Sequence, residues 1–271
     1  MSPEKSMIHT MAARLDEARR SGMAIPQLSD QHDGGSALDL ASAYAVQCAG
    51  VVLRTDHGEQ VVGAKLGFTS KAKAEQMGVS DVIIGVLTDA MAIDDGGVLD
   101  ISQGVHPRAE PEVAFRLSHA VDLSDPHVDV LAAVDAVAPA LEVIDSRYRD
   151  FRFALADVVA DNTSASAFVV GPWTQLADAP DLDLVDRPVE LTINGSTAAT
   201  GSTTDILGDP WAALPAIQRM ATRYGQQLPA GAVILAGAAT AAVALSPGCV
   251  VTATVAGLGQ VTLRTEEVPH D

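Results

Sequence analysis

Val189-Glu190-Leu191-Thr192-Ile193-Asn194-Gly195 alternates apolar and polar residues and then meets a dipeptide suited to two consecutive positive φ angles. Alternation at period 2 marks a strand with one buried face, and Asn-Gly is the preferred centre of a type I′ turn, so the stretch predicts a β-hairpin. Further on, residues 249–255 and 260–265 alternate around Gly257-Leu258-Gly259 and predict a second hairpin. Between the hairpins, Asp209 as N-cap and Pro210 at the first helical position open a helix that should stop near Gly225, with Pro215 as a candidate kink inside it. Towards the N-terminus, short Val/Ile/Leu runs broken by Gly, Asp and Pro begin at Val61 and fit strands. Before them, residues 4–22 place Met7, Met11 and Leu15 at helical spacing and end at Gly22. Residues 37–54 read as a second, Ala-rich helix, closed by the turn Asp56-His57-Gly58. The chain is therefore expected to be α+β, with a helical segment 1–60 packed on a β-rich core 61–271 as one structural unit.

The 271 residues carry 17 Lys and Arg against 35 Asp and Glu, a formal net charge of −18. Such a chain is repelled by phosphate backbones and anionic membrane surfaces, which argues against nucleic-acid and membrane partners. Hydrophobic residues make up 48% and charged residues 19%, a composition that supports a packed globule. Cys48 and Cys249 are the only cysteines, so there is no disulfide framework and no thiolate cluster for zinc. The N-terminus lacks a continuous apolar run, and a reducing, cytoplasmic setting is expected.

The most informative spacing for chemistry is in His106-Pro107-Arg108-Ala109-Glu110-Pro111-Glu112-Val113-Ala114-Phe115. On a strand, Glu110 and Glu112 point to the same face. Two adjacent like charges are either decoration on a solvated edge or ligands of a cation. Glu142 lies in the apolar run Pro139-Ala140-Leu141-Glu142-Val143-Ile144, where an ionised carboxylate is costly to bury unless a cation relieves it. Carboxylates from two strands suit Mg²⁺ or Mn²⁺, which prefer hard oxygen ligands. Lys65, in Gly63-Ala64-Lys65-Leu66-Gly67-Phe68-Thr69-Ser70, is either half of a structural ion pair or a group that binds a substrate carboxylate or moves a proton. Asp161-Asn162 and the hydroxyls of Thr163, Ser164 and Ser166 read equally as helix capping or as site groups, and Asp145 with Arg147 as a local structural pair. Gly237 and Thr240 sit in a small-residue loop that either packs tightly or opens backbone N–H groups to a carboxylate. The segment Ser70 to Asp81 is a candidate lid or an ordinary surface helix. Dinucleotide, P-loop, nucleophile-elbow and zincin motifs are absent.

Four segments together resemble the hydratase/decarboxylase family of meta-cleavage pathways, a branch of the fumarylacetoacetate hydrolase superfamily. They are Gly63 to Ser70, Pro107 to Phe115, Ala140 to Asp150, and Val159-Ala160-Asp161-Asn162, with Gly201 to Pro210 as a weaker match. The resemblance implies a distorted mixed β-barrel or β-roll core with flanking helices. It implies Glu110, Glu112 and Glu142 as ligands of Mg²⁺ or Mn²⁺ and Lys65 as the active-site lysine; from the residues themselves, Ser164, Gly237 and Thr240 are the candidate substrate-binding groups beside them. Leu235 to Val243, Leu87-Thr88-Asp89 and Ser146 to Phe151 are more similar to the 4-oxalocrotonate decarboxylase branch. That branch implies decarboxylation of 2-oxo-3-hexenedioate to 2-hydroxypenta-2,4-dienoate and CO₂ in the catabolism of aromatic compounds. The alternatives are hydration of 2-hydroxypenta-2,4-dienoate and a noncatalytic partner of such an enzyme. The resemblance also implies a homo-oligomer able to associate with a homologous hydratase.

Overall fold

The computed structural model describes residues 3–29, 38–70, 81–224 and 227–266. Helix α1 (Pro3–Ser21) ends where Gly22 takes φ +63°, and it packs on α2 (Leu40–Asp56) through Met11, Ala12, Leu15, Ala43 and Val46. The second helix begins later than its apolar pattern predicts because the Asp39 carboxylate accepts the Ser42 N–H and fixes the start there.

Strands follow: β1 (Val61–Gly67), β2 (Ile83–Thr88), β3 (Ala92–Ile93), β4 (Val98–Asp100), β5 (Arg108–Leu117), β6 (Val121–Asp122) and β7 (Val134–Ile144). After the short helix α3 (Leu155–Ala160) come β8 (Ala165–Val170), β9 (Thr174–Gln175), β10 (Pro188–Ile193) and β11 (Ser196–Ser202). Helix α4 (Ala213–Tyr224) precedes β12 (Gln227–Leu228), β13 (Val233–Ala238), β14 (Val243–Ala244), β15 (Val250–Val255) and β16 (Gly259–Glu266). The main sheet has nine strands in the order β2-β1-β13-β5-β7-β8-β3, with β14 beside β5 and β9 beside β7. It is mixed, since β1 runs parallel to β13 and β3 to β8 while the other pairs are antiparallel, and it curls into a half-barrel. A second sheet, β11-β10-β15-β16-β4, packs Leu191, Val251, Ala253, Val261 and Leu263 against Ala109, Leu141, Val143 and Val169 of the first. Elsewhere the main sheet buries Val113, Phe115 and Ile234 with Leu214 and Ile217 of α4. Cover on both faces explains why β7 reads as a near-continuous apolar run and why β5 is buried along most of its length.

Both predicted hairpins form. Asn194 and Gly195 take φ +51° and +76° between β10 and β11, and Gly257 and Gly259 take +74° and +130° between β15 and β16. The Asp209 carboxylate accepts the Trp211 N–H at the start of a 3₁₀ turn that leads into α4. Pro215 is no kink: it falls in the first turn of α4, where its missing N–H has no helical acceptor to lose. Gly225 and residues 71–80 of the candidate lid lie outside the described residues. No helix among the described residues is long and apolar enough to cross a membrane.

Candidate active site

Glu110 and Glu142 are directly paired across the β5–β7 ladder, and Glu112 follows two residues along the same face of β5. These are inner strands of a covered sheet, so the carboxylates are not edge decoration: Glu110 is 5%, Glu112 1% and Glu142 0% exposed. Pro111 is tolerated between them because the neighbouring strand is interrupted there. β13 pairs with residues 112–116 and β14 with 108–109, and only the Ala239 N–H reaches the Pro111 carbonyl across the gap. Lys65 enters from β1, two strands away, with β13 between.

One oxygen from each of Glu110, Glu112 and Glu142 lies within 4.8 Å of the others. Lys65 Nζ sits 3.0 Å from Glu142 Oε2 and donates to the Thr163 carbonyl at 3.2 Å. Glu112 Oε2 accepts the Gly237 N–H at 2.7 Å, while Glu112 Oε1 and Glu142 Oε1 are buried without a hydrogen-bond partner. Burial, reinforced by Glu142, pushes the Glu112 carboxyl well above the usual range. Glu142 is also raised by burial, against the lowering influence of Lys65. Burial alone would lower Lys65, but the carboxylates of Glu142, Glu112 and Glu110 outweigh it and hold the lysine as an ammonium ion. Among the described residues Lys65 is the cation that meets these acids, and Glu112 and Glu142 keep orphaned hard oxygens in a buried setting. That donor set fits a divalent cation such as Mg²⁺ or Mn²⁺.

The loop that meets Lys65 is unusual in its backbone. Asn162, Thr163 and Ser164 take φ of +49°, +56° and +58°, three consecutive left-handed residues with no glycine. Side chains hold them there: the Asn162 amide bridges both N–H and C=O of Val86 at 2.8 Å each, and Thr163 Oγ1 donates to the Ile84 carbonyl. Asp161 is bound by Arg147, which corrects the expected Asp145–Arg147 pair. Asp145 instead accepts the N–H groups of Val105 and His106, fixing the approach to β5. Burial raises Asp161 to about 6, despite the opposing pull of Arg147. The loop aims the Thr163 carbonyl at Lys65 and leaves Ser164 Oγ buried without a partner. Gly85 makes room for this meeting, since a Cβ there would lie 2.9 Å from the Asn162 carbonyl oxygen and 3.1 Å from Lys65 Cδ.

Lys65, Glu110 and Ser164 line one cavity of about 670 Å³, together with Arg108, Phe151 and Phe153. Its size suits a small organic ligand. Gly237 and Thr240 are not part of the described wall. The Gly237 amide is spent on Glu112, its φ is +117°, and a Cβ there would lie 2.2 Å from Thr69 Oγ1. Thr240 Oγ1 donates to the Ala241 carbonyl. Arg108 and Phe151 fall in segments that carry the resemblance but received no role from the sequence, although the period that pairs Glu110 with Glu112 also puts Arg108 on their face.

Residues 60–265 match the profile of the fumarylacetoacetate (FAA) hydrolase C-terminal family. The chain is 46% identical to a 4-oxalocrotonate decarboxylase from Pseudomonas sp., over 95% of this chain and 98% of that protein. It is 34% identical to a 2-hydroxyhexa-2,4-dienoate hydratase from Comamonas testosteroni, over 97% and 99% of the two chains. Among solved structures it is similar to 4-oxalocrotonate decarboxylase from Pseudomonas putida G7 complexed with magnesium and adipate. That similarity has a TM-score of 0.86 and 33% identity over 96% of this chain and 97% of the other.

Proposed function

The chain belongs to the fumarylacetoacetate hydrolase family, and from that premise we propose that it is a carboxy-lyase that converts 2-oxo-3-hexenedioate into 2-hydroxypenta-2,4-dienoate and CO₂. The observation that carries the reading is the buried Glu110, Glu112 and Glu142 cluster, with orphaned oxygens, beside Lys65 at the wall of a small-molecule cavity. Its relatives named 4-oxalocrotonate decarboxylase span nearly its whole length.

Mg²⁺ or Mn²⁺ held by the three glutamates supplies a fixed positive charge and Lewis acidity to an oxygen-rich 2-oxo acid. The remaining chemistry belongs to the polypeptide. As the C5–C6 bond breaks, its electron pair forms C4=C5, the C3=C4 pair moves to C2=C3, and the carbonyl pair comes to rest on the C2 oxygen. Lys65, kept cationic by its carboxylate neighbours, stabilises that oxygen and gives it a proton. Thr163 and Glu142 fix the ammonium position before substrate arrives, so no reorganisation is needed at the moment of reaction. Ser164 Oγ is a free polar group on the same wall and is assigned to substrate binding.

Purified protein is expected to release CO₂ from 2-oxo-3-hexenedioate only with Mg²⁺ or Mn²⁺, as the dienol absorbance appears. The second reading is hydration of 2-hydroxypenta-2,4-dienoate, favoured by hydratase relatives at 34–37% identity. No CO₂ but metal-dependent loss of that dienol selects it, and failure to bind either metal selects the noncatalytic partner. The family resemblance supports a homo-oligomer that associates with a homologous hydratase, which native mass spectrometry of the two proteins tests. The free Cys48 and Cys249 suit a reducing cytoplasm.

A further inference from the structure

Arg108 lies on the same face of β5 as Glu110, and both line the cavity, about 7 Å apart along the strand. Among the described residues it is paired with no carboxylate. The chain has 35 acidic residues, and the buried or half-buried Arg54, Arg116 and Arg147 each have a carboxylate partner, while the half-buried Arg187 is held by backbone carbonyls. The guanidinium is not loose: its carbon lies 4.5 Å from the centre of the Phe151 ring. Phe151 has φ +54° and follows Asp150 at +58°, and a bulky side chain in that region is held only when its surroundings over-determine it. Phe153 and His106 meet the ring edge-on at 5.4 and 6.0 Å and supply that restraint. Strained backbone and two aromatic contacts thus hold the ring that lies against the Arg108 guanidinium.

We propose that Arg108, positioned by Phe151, receives the second carboxylate of a dicarboxylate substrate, the group that departs as CO₂, and selects diacids over monoacids. The assignment rests on the decarboxylase reading for the identity of that group. A six-carbon diacid has its 2-oxo end at Lys65 and the glutamates and its far end within reach of a guanidinium one strand repeat away. A fork of donors matches a carboxylate at that end. Phe151, Phe153 and Ile144 make the surrounding wall apolar, which suits a neutral, linear product. The C6 carboxylate loses its charge as its electron pair passes towards the C2 oxygen, so Arg108 grips the bound substrate more tightly than the transition state. Its role is in affinity and selection, and its removal raises KM while leaving kcat unchanged or higher.

The test compares adipate with hexanoate as binding probes in the presence of Mg²⁺, by calorimetry on the full chain. The wild type is expected to prefer adipate by about 10- to 100-fold, the worth of a charged hydrogen-bonded pair. Arg108→Gln should abolish the preference and, with 2-oxo-3-hexenedioate, raise KM by a similar factor with kcat unchanged or higher. An undiminished adipate preference in Arg108→Gln, or a fall in kcat at constant KM, overturns the proposal. If circular dichroism shows that variant unfolded, Arg108→Lys replaces it: a partial loss of preference supports the assignment and an intact preference overturns it. A wild type that releases no CO₂ yet shows an Arg108-dependent preference for adipate refutes the decarboxylase reading and leaves the carboxylate site standing. CO₂ release with a preference indifferent to Arg108 does the reverse.

Discussion

Glu110 and Glu142 stand directly opposite each other in the β5–β7 ladder, like charges on two inner strands of the main sheet. Such a pair destabilises a sheet unless something neutralises it. With Glu112 beside them, and Lys65 the cation that faces them among the described residues, the core stores an electrostatic cost that a metal ion removes.

Magnesium should therefore stabilise the protein, by about 2.7 kcal/mol at a hundredfold excess over Kd. Glu112→Gln keeps the shape and can still accept the Gly237 N–H, but it removes a ligand and a charge. Metal-free, this variant is expected to melt at or above the metal-free wild type, and to gain little on adding Mg²⁺. Differential scanning fluorimetry with EDTA and with a Mg²⁺ series checks both. A variant that melts lower without metal yet responds fully to it would show that Glu112 is no ligand.

Lys65→Met should fold and bind metal yet lose turnover by about 10²- to 10⁴-fold, the range for a positioned proton donor. Steady-state CO₂ release, with Mg²⁺ affinity measured in parallel, is the check. Full turnover would exclude the lysine from the chemistry.

Asp161 gives a pH signature outside the carboxylate cluster. Its ordinary value is 3.8, and burial raises it to about 6 in the fold. Between these values the native chain keeps a proton that the unfolded chain has released. The resulting stability is fully present below 3.8 and is lost as pH rises through 6, at most about 3 kcal/mol in all. Urea unfolding of wild type and Asp161→Asn across pH 4–7 should give a stability difference that changes in this direction, and a flat difference would refute it.

Gly85→Ala should cost about 1–3 kcal/mol, the usual penalty for overpacking. The added methyl presses on the Asn162 carbonyl and the Lys65 stem. Activity should fall by more than the loss of folded protein accounts for, which denaturant melts and kcat on the same preparation will show.

Local chemistry was legible in the sequence, and long-range pairing was not. Asn194-Gly195, Gly257 and the Asp209-Pro210 start each act within a few residues, and each is found where its spacing predicts. The face shared by Glu110 and Glu112 follows from strand geometry alone, and their encounter with Glu142 was inferred from the cost of a lone acid in an apolar run. Pro215 was misread because the 3₁₀ turn that precedes α4 moves the proline into the first α-helical turn. Arg147 has two acids within reach along the chain, Asp145 and Asp161, and nearness favoured the wrong one. The loop geometry that decides between them depends on Asn162 bonding to β2, a contact across 76 residues. Arg108 was overlooked for a related reason: its significance lies in lacking an acid partner, and only the packed structure shows which charges are left over.

The Asn162 amide, in bridging the N–H and C=O of Val86, takes the place of a neighbouring strand. β2 is the outermost strand of the main sheet, and the next outward-facing peptide, at Ile84, is likewise occupied by Tyr44, Gln47 and Thr163. An open apolar edge of this kind invites a second chain to add its own strand, the first step of aggregation. Here the loop that aims a carbonyl at Lys65 also closes that edge, so a substitution that loosens the loop exposes an adhesive strand while it disorders the active site.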